Sequence, residues 1–265
     1  MKIYLISLKS ALERREFQKQ QLSSLGLDFE PFDALTPSTS IEQATGIKVD
    51  RWERPLMPTE LACFLSHYSV WQKIVDRNEP ALILEDDVIL SKNLPKFLTG
   101  VAALEGIDHI TLEVRLRKKM ISTEHSTLER LGVCELLQDR TGAAAYILYP
   151  NGAEKLITTA VKKGAALADA CIANNYHLRS LQAVPALALQ ADVASEYGIA
   201  TELKTISYIQ LNDKKLNYVN NDLQRLRFKA RRMQSQLRLA SRYIFNFWRV
   251  KRILIALDAE GFKRS

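Results

Sequence analysis

The chain opens on a short apolar run, Lys2–Leu8 (KIYLISL), bounded by polar residues, which predicts an interior strand. Ser10 and Glu13 have the spacing of a capping box, so a polar, Gln-rich helix is expected to about Leu25, ended by Gly26. Phe29–Phe32 reads as a second short strand. Strand, helix and strand at this spacing open a parallel, nucleotide-binding sheet. Residues 33–58, rich in Pro, Thr and Ser, read as a long loop with one short helical stretch. Thr59 is the expected cap of a helix whose apolar positions Leu61, Phe64, Leu65, Tyr68, Trp71 and Val75 keep a helical period. After Pro80, ALILEDDV is a continuous apolar strand that runs straight into three acids. Asn93 and Pro95 open a helix to about Leu104, and His109–Val114, Gly132–Gln138 and Ala143–Tyr149 are expected strands. Asn151-Gly152 caps a helix to about Lys163, Asp169–Tyr176 is expected to be helical, and Gln182–Leu189 is a last apolar strand. Beyond Asp192 the pattern turns helical and basic. The alternation predicts an α/β domain over residues 1–200 and a helical region over 201–265.

A length of 265 residues suits one large α/β domain with a small appendage, and a core of that size needs no disulfides. Cys63, Cys134 and Cys171 are odd in number, far apart and in apolar company, which predicts three small buried hydrophobes in a reducing compartment. The N-terminal run is too short for a signal sequence, and nothing approaches the ~18 uninterrupted apolar residues of a membrane-spanning helix. A soluble or peripheral protein is expected. The net charge of +7 is uneven: residues 225–252 carry ten cations and no acid, so the rest of the chain is close to −3.

Glu85-Asp86-Asp87 is the most informative feature. The strand before it is apolar enough to be buried, and in open α/β sheets ligands bind at the carboxyl ends of strands. Carboxylates there are costly without a cation or donors nearby. A divalent ion holding a diphosphate answers that cost, since Mg²⁺ or Mn²⁺ takes one or two carboxylates plus phosphate oxygens. Strand alternation puts Glu85 and Asp87 on one face and Asp86 on the other. Asp87 is the expected direct ligand, with Glu85 or Asp86 toward a ribose or a metal-bound water. A phosphatase of the haloacid dehalogenase type would need a different series after the acids, and Val-Ile-Leu follows here.

In Thr59-Glu60-Leu61-Ala62-Cys63-Phe64-Leu65-Ser66-His67, Glu60 suits the first helical turn, while Ser66 and His67 sit mid-helix among aromatics. Together with the acids, this series resembles glycosyltransferase family 25, the lipooligosaccharide galactosyltransferases and their collagen-glycosylating relatives. The matching stretches are YLISLKSALERR, ELACFLSHYSVW, LILEDDV, TGAAAYILYPNGAEKLI, the acid in ALADACIA, and VPALALQ with Ser195 beyond it. They come in family order over roughly residues 1–195. The chain departs at Ser7, where the family usually has Asn, and at Leu167, where it often has Pro.

The resemblance implies a single Rossmann-like GT-A domain, an inverting transfer from a UDP-sugar, and Mn²⁺ (or Mg²⁺) held by Asp87 with Glu85. Galactose is the expected sugar, with UDP-glucose or a UDP-N-acetylhexosamine as the alternative donor. Ser7, Leu8 and Lys9 would face the uracil or ribose, and Arg14 and Arg15 the diphosphate. Glu60, Ser66, His67, Glu85, Asp86 and Gln190 join the candidate donor-side set. Asp169 is the candidate base for the acceptor hydroxyl, with Glu113 as the second choice. The acceptor would be an oligosaccharide or lipooligosaccharide at the cytoplasmic face of the inner membrane. In that setting the arginines of 225–252, interleaved with Leu226, Phe228, Met233, Leu237, Tyr243, Phe245, Phe247 and Trp248, read as a helix lying on anionic lipid rather than as a nucleic-acid site. A solvated helix packed on the body is the plainer reading of the same segment. A non-catalytic, basic-tailed binding module is the reading from another class.

Overall fold

The computed structural model describes residues 1–39, 46–123, 130, 132–140, 142–203 and 222–263. The first half runs β1 (Lys2–Ser7), α1 (Leu12–Ser24), β2 (Glu30–Asp33), α2 (Pro58–Arg77), β3 (Ala81–Glu85), β4 (Val88–Leu90) and α3 (Leu94–Val101). There follow β5 (His109–Thr111), β6 (Glu113–Val114), β7 (Lys119–Ser122), β8 (Val133–Gln138), β9 (Ala145–Leu148), α4 (Pro150–Lys163) and α5 (Ala168–Ala173). The chain closes with β10 (Ser180–Ala183), β11 (Ala188–Gln190), a 3-10 segment Ala191–Tyr197, α6 (Asp222–Asn246) and β12 (Val250–Ile253). Nine strands form one sheet in the order β12-β7-β8-β10-β5-β9-β3-β1-β2, and β4-β11-β6 form a small second sheet.

The apolar run of β1 and that of β3 are continuous because both strands are buried on both faces. Tyr4, Ile6 and Ile83 point to the layer of α2 and α4, where they meet Phe64, Trp71 and Leu156. Ile3, Leu5, Leu82 and Leu84 point to the opposite layer, against Leu22 of α1 and Leu94 and Leu98 of α3. Each such fully buried aliphatic side chain contributes roughly 1.5–3 kcal/mol relative to exposure. Helix α4 comes close to the loop before β5 through Gly152, where a Cβ would sit 2.2 Å from the Asp108 carbonyl oxygen. β1 is parallel to both β2 and β3, with Ile6 opposite Glu85 and Ser7 opposite Asp33. The three carboxyl ends therefore share one edge of the sheet, which is where the acids emerge.

Several expected elements are divided or shifted. α1 begins at Leu12 with Ala11 before it and no side-chain cap, so Ser10 does not close a capping box. α2 begins at Pro58, with Glu60 accepting the Met57 N–H, so Thr59 is inside the helix rather than its cap. The run 109–114 splits into β5 of the large sheet and β6 of the small one. The run 182–189 also splits, into β10 and β11, around Pro185, which has no N–H for a ladder. Of the short helical stretch expected in the loop 33–58, residues 37–39 are helical, and 40–45 lie outside the described residues.

The C-terminal end of the 201–265 region joins the sheet of the body. β12 pairs antiparallel with β7 at the edge of the large sheet, Ile255 is buried, and Asp258 accepts from Ser91 Oγ (2.5 Å) and Asn93 Nδ2 (2.8 Å). Residues 250–258 complete the α/β body, because β7 otherwise presents an open edge. The helix expected in the basic region is present as α6, which has no buried residue. Among the described residues no helix is long and apolar enough to cross a membrane.

Candidate functional site

The turn after β3 is held by α1. Gln18, fully buried and one turn before Leu22, donates to the carbonyls of Asp86 (3.1 Å) and Val88 (2.7 Å). Asp86 accepts from Ser7 Oγ at 2.5 Å and from Arg14 at 3.0 Å, both side chains of that ion pair being mostly buried. Glu85 and Asp87 turn the other way, toward the Gln190 amide at 3.4 and 3.5 Å. The expected division of the three acids is thus the one observed, although a turn rather than strand alternation makes it. Asp87 is pushed up to about 7, first by burial and then by the charges of Glu85 and Asp86, with Arg14 and Gln190 offsetting part of this. A carboxylate so placed gains from a cation, and two hard oxygen ligands suit Mg²⁺ or Mn²⁺.

His67, fully buried on α2, meets Glu85 Oε1 through Nε2 at 3.1 Å and Tyr146 Oη through Nδ1 at 2.9 Å. Trp71 Nε1 donates to the same Tyr146 oxygen at 2.8 Å. With a Glu85 carboxyl oxygen as the acceptor, the pattern that satisfies every donor runs Trp71 to Tyr146 to His67 to Glu85. Cys63 lies close enough to His67 and Glu85 to complete a soft metal set. Its thiol is held well above its usual range by burial and by neighbouring acids, and the imidazole is committed to Tyr146 and Glu85. His67 thereby orients Glu85.

Two adjoining lobes open at this edge. The first, of about 360 Å³, is lined by Ser7, Leu8, Arg14, Ser66, Glu85, Asp86, Asp87 and Gln190, among others. The second, of about 260 Å³, includes Glu60, Glu85, Gly142, Ala143, Ala144, Asp169 and Gln190. Glu85, Gln190, Cys63 and Arg115 belong to both. Arg115 bonds Gln190 and pairs with Asp192 at 2.5 Å, bracing the boundary between the lobes. In the second lobe Asp169 is raised above the usual aspartate range by burial, then by Glu85 and Asp139, against the Ala170 N–H it accepts at 2.6 Å.

Other predicted residues are used differently. Arg15 spends its donors on the Ser7 and Leu8 carbonyls (2.7 and 3.0 Å) and on Asp33 (2.7 Å), clamping the loop after β1 to β2. Lys9 is exposed and pairs with Asp33 at 3.1 Å, outside both lobes. Glu60 reaches the second lobe, but Arg54 grips it twice, at 2.7 and 2.6 Å. Ser66, buried, donates to the Ala62 carbonyl and accepts the Leu35 N–H. Glu113 is 1% exposed and lines neither lobe; its Oε1 accepts the Ala144 N–H at 2.9 Å, and Oε2 is buried without a partner among the described residues. Burial pushes it up to about 8 despite Lys119 nearby.

Sequence reasoning missed Gln18, Cys63, Arg115, and the Trp71–Tyr146 support of His67. Gln18 carried a signal, since it shares the buried face of α1 with Leu22 one turn on. Cys63 was expected in the core but lines both lobes, and Arg115 carried no signal beyond its place after a strand.

The Haemophilus influenzae lipooligosaccharide biosynthesis protein lic2B is 32% identical over 162 residues, 58% of this chain and 61% of that protein. The lacto-N-neotetraose biosynthesis glycosyltransferase LgtE of Neisseria gonorrhoeae is 38% identical over 108 residues, 40% of this chain and 39% of that one. Human procollagen galactosyltransferase 2 is 28% identical over 170 residues, 58% of this chain and 27% of its own. The matches thus span less than two thirds of the length of these relatives. A solved glycosyltransferase involved in the glycosylation of the major capsid of PBCV-1 superposes with a TM-score of 0.32 at 14% identity, covering 60% of this chain and 66% of that one. The family model for glycosyltransferase family 25 (LPS biosynthesis protein) matches residues 1–172, the stretch that supplies Ser7, Arg14, the three acids and Asp169, and the chain belongs to that family.

Proposed function

We propose that this chain is an inverting, GT-A-like glycosyltransferase that moves a hexose from a UDP-sugar to a saccharide acceptor. The observation that carries this reading is the pair of Glu85 and Asp87 at the carboxyl end of β3, at the meeting of two lobes, with Asp169 in the lobe away from Ser7 and Arg14. The first lobe suits the nucleotide: Ser7 and Leu8 offer a strand end, and Arg14 adds positive charge beside Asp86. Asp87 and Glu85 would hold Mn²⁺ or Mg²⁺, which supplies charge neutralisation for a departing diphosphate. Gln190 orients both carboxylates, and the Trp71–Tyr146–His67 chain fixes Glu85. Asp169, raised by burial, takes the proton of the acceptor hydroxyl in the second lobe, and attack of that oxygen on the face of the sugar opposite the departing UDP gives inversion. Galactose is the first donor to test, because one relative's name carries it; UDP-glucose and UDP-N-acetylhexosamines follow.

The reading also seats the protein on a membrane surface at the cytoplasmic face, where lipid-linked acceptors would be met. Along α6, Leu223, Leu226, Met233, Leu237 and Ile244 are exposed at spacings of three, seven, four and seven residues, one or two helical turns apart, with Phe247 and Trp248 exposed beyond them. Cations flank this stripe, as an interfacial helix requires.

Asp87→Asn is the direct test. It should lower metal-dependent transfer, and UDP-sugar hydrolysis without acceptor, by at least ~10²-fold. The fold should survive, since a buried like charge is removed. A variant that keeps more than about a tenth of wild-type turnover at saturating Mn²⁺ would take the metal away from Asp87. A wild-type chain without any UDP-sugar hydrolysis would favour the non-catalytic binding module.

A further inference from the structure

We propose that the groove between α6 and the body binds phosphate or carboxylate groups carried by the saccharide acceptor, beyond the hydroxyl that reacts. This rests on the transferase reading above.

The groove has a volume of about 550 Å³, and Arg51, Lys162, Lys163, Arg227, Arg231 and Arg238 line it against a single acid, Glu53. Elsewhere on the surface cations sit beside carboxylates, as in Lys2–Glu30, Lys9–Asp33, Arg54–Glu60 and Arg115–Asp192. Among the described residues none of the six groove cations is within ion-pair distance of a carboxylate. Arg231 is spent on the carbonyls of Asp50 (2.8 Å) and Trp52 (3.3 Å) and docks the helix. Lys162 and Lys163 occupy the last turn of α4, where the helix dipole already favours them. Among the described residues Arg51, Arg227 and Arg238 have no such use. They come from two separate segments and converge on one cavity, and positive charge so gathered calls for an anion.

The remaining wall suits a sugar. Trp52 and Tyr176 are among the lining residues, and aromatic side chains are the flat apolar surfaces on which sugar rings pack. Their positions are built. Arg242 lies 4.6 Å from the Tyr176 ring centroid. Gly164, at φ 90°, lets the segment carrying Arg51 and Trp52 press on the end of α4: a Cβ there would lie 2.3 Å from the Lys48 carbonyl oxygen.

The groove also adjoins the reaction site. Helix α5 presents Asp169 to the acceptor lobe and Ala170 and Cys171 to the groove. Tyr176 stands in the wall of the groove and of a small pocket that Asp169 also lines. An oligosaccharide with its reacting hydroxyl at Asp169 would extend past Tyr176 into the basic groove. The groove side of α6 is also not the face that carries the apolar stripe, so lipid and saccharide would use different faces of one helix.

The probes are maltotriose bearing a terminal phosphate and unmodified maltotriose, titrated calorimetrically into the full chain without donor or metal. The wild type should bind the phosphorylated sugar at least ~10-fold tighter. Arg227→Glu combined with Arg238→Glu, both exposed on α6, should erase the difference, and so should Arg51→Glu on the opposite wall. Thermal unfolding should show that all variants remain folded. Equal affinity for the two sugars in the wild type would overturn the proposal, as would a preference that survives both sets of substitutions. Loss of binding to phosphatidylglycerol vesicles with phosphosaccharide affinity intact would also overturn it, assigning the cations to lipid. Because no donor is present, these outcomes are separate from failure of the transferase reading, which leaves turnover rather than binding at fault.

Discussion

Glu113 was a candidate base by sequence, and its surroundings give it a different and measurable signature. Its folded value of about 8 lies above the ordinary 4.5 of an exposed glutamate, chiefly because it is buried. Below about pH 4.5 both folded and unfolded chains hold the proton, so the group is silent. Between about 4.5 and 8 the folded chain keeps the proton and the unfolded chain does not. The unfolded state then binds fewer protons, so stability falls as pH rises, by about 1.4 kcal/mol per pH unit. Above about 8 both states are ionised and the contribution is flat. Over the window the loss amounts to roughly 3–5 kcal/mol, a large part of the stability of a domain. Glu113→Gln removes the titration while keeping the oxygen that accepts the Ala144 N–H. Urea unfolding should give similar stabilities for the two proteins at about pH 5, within ~1 kcal/mol. At about pH 8 the variant should be the more stable by roughly 2–4 kcal/mol. Other titrating groups cancel in this comparison. Parallel stability curves for wild type and variant would refute the reasoning, and a loss of turnover at constant donor affinity would return Glu113 to the reaction.

Asp169→Asn should cut turnover ~10²-fold or more with UDP-sugar affinity nearly unchanged, measured by steady-state kinetics beside calorimetry with UDP; a defect confined to donor binding would move the base elsewhere. Leu226→Ser, Leu237→Ser and Ile244→Ser together should release the chain from anionic vesicles in co-sedimentation while sparing transfer to a short soluble acceptor, since the stripe faces away from the body. Unchanged vesicle binding by the triple variant, or tight binding to an oligonucleotide control instead, would remove the membrane reading. Deleting residues 225–265 cannot serve this purpose, because it would strip β12 from the sheet.

What the sequence determined by itself was local and periodic. The apolar runs of β1 and β3, the helical period of α2 and the three acids after Leu84 could be read because each depends on residues adjacent in the chain. That pattern placed Glu85 and Asp87 apart from Asp86, and the family resemblance followed from it. The tertiary structure decided where each polar group is engaged. Arg14 and Arg15 are neighbours of the same type, yet Arg14 reaches the cleft while Arg15 is consumed by Ser7, Leu8 and Asp33. Glu113 and Asp169 are both acids in apolar contexts, and only the packing seals one and exposes the other to a lobe. The return of β12 to β7, about 130 residues apart, was illegible because strand pairing is set by an open sheet edge rather than by any pattern in the basic tail. Periodicity reports which face of an element is buried. Which donors, charges and edges find partners depends on contacts between residues far apart in sequence, and those form only when the sheet is assembled.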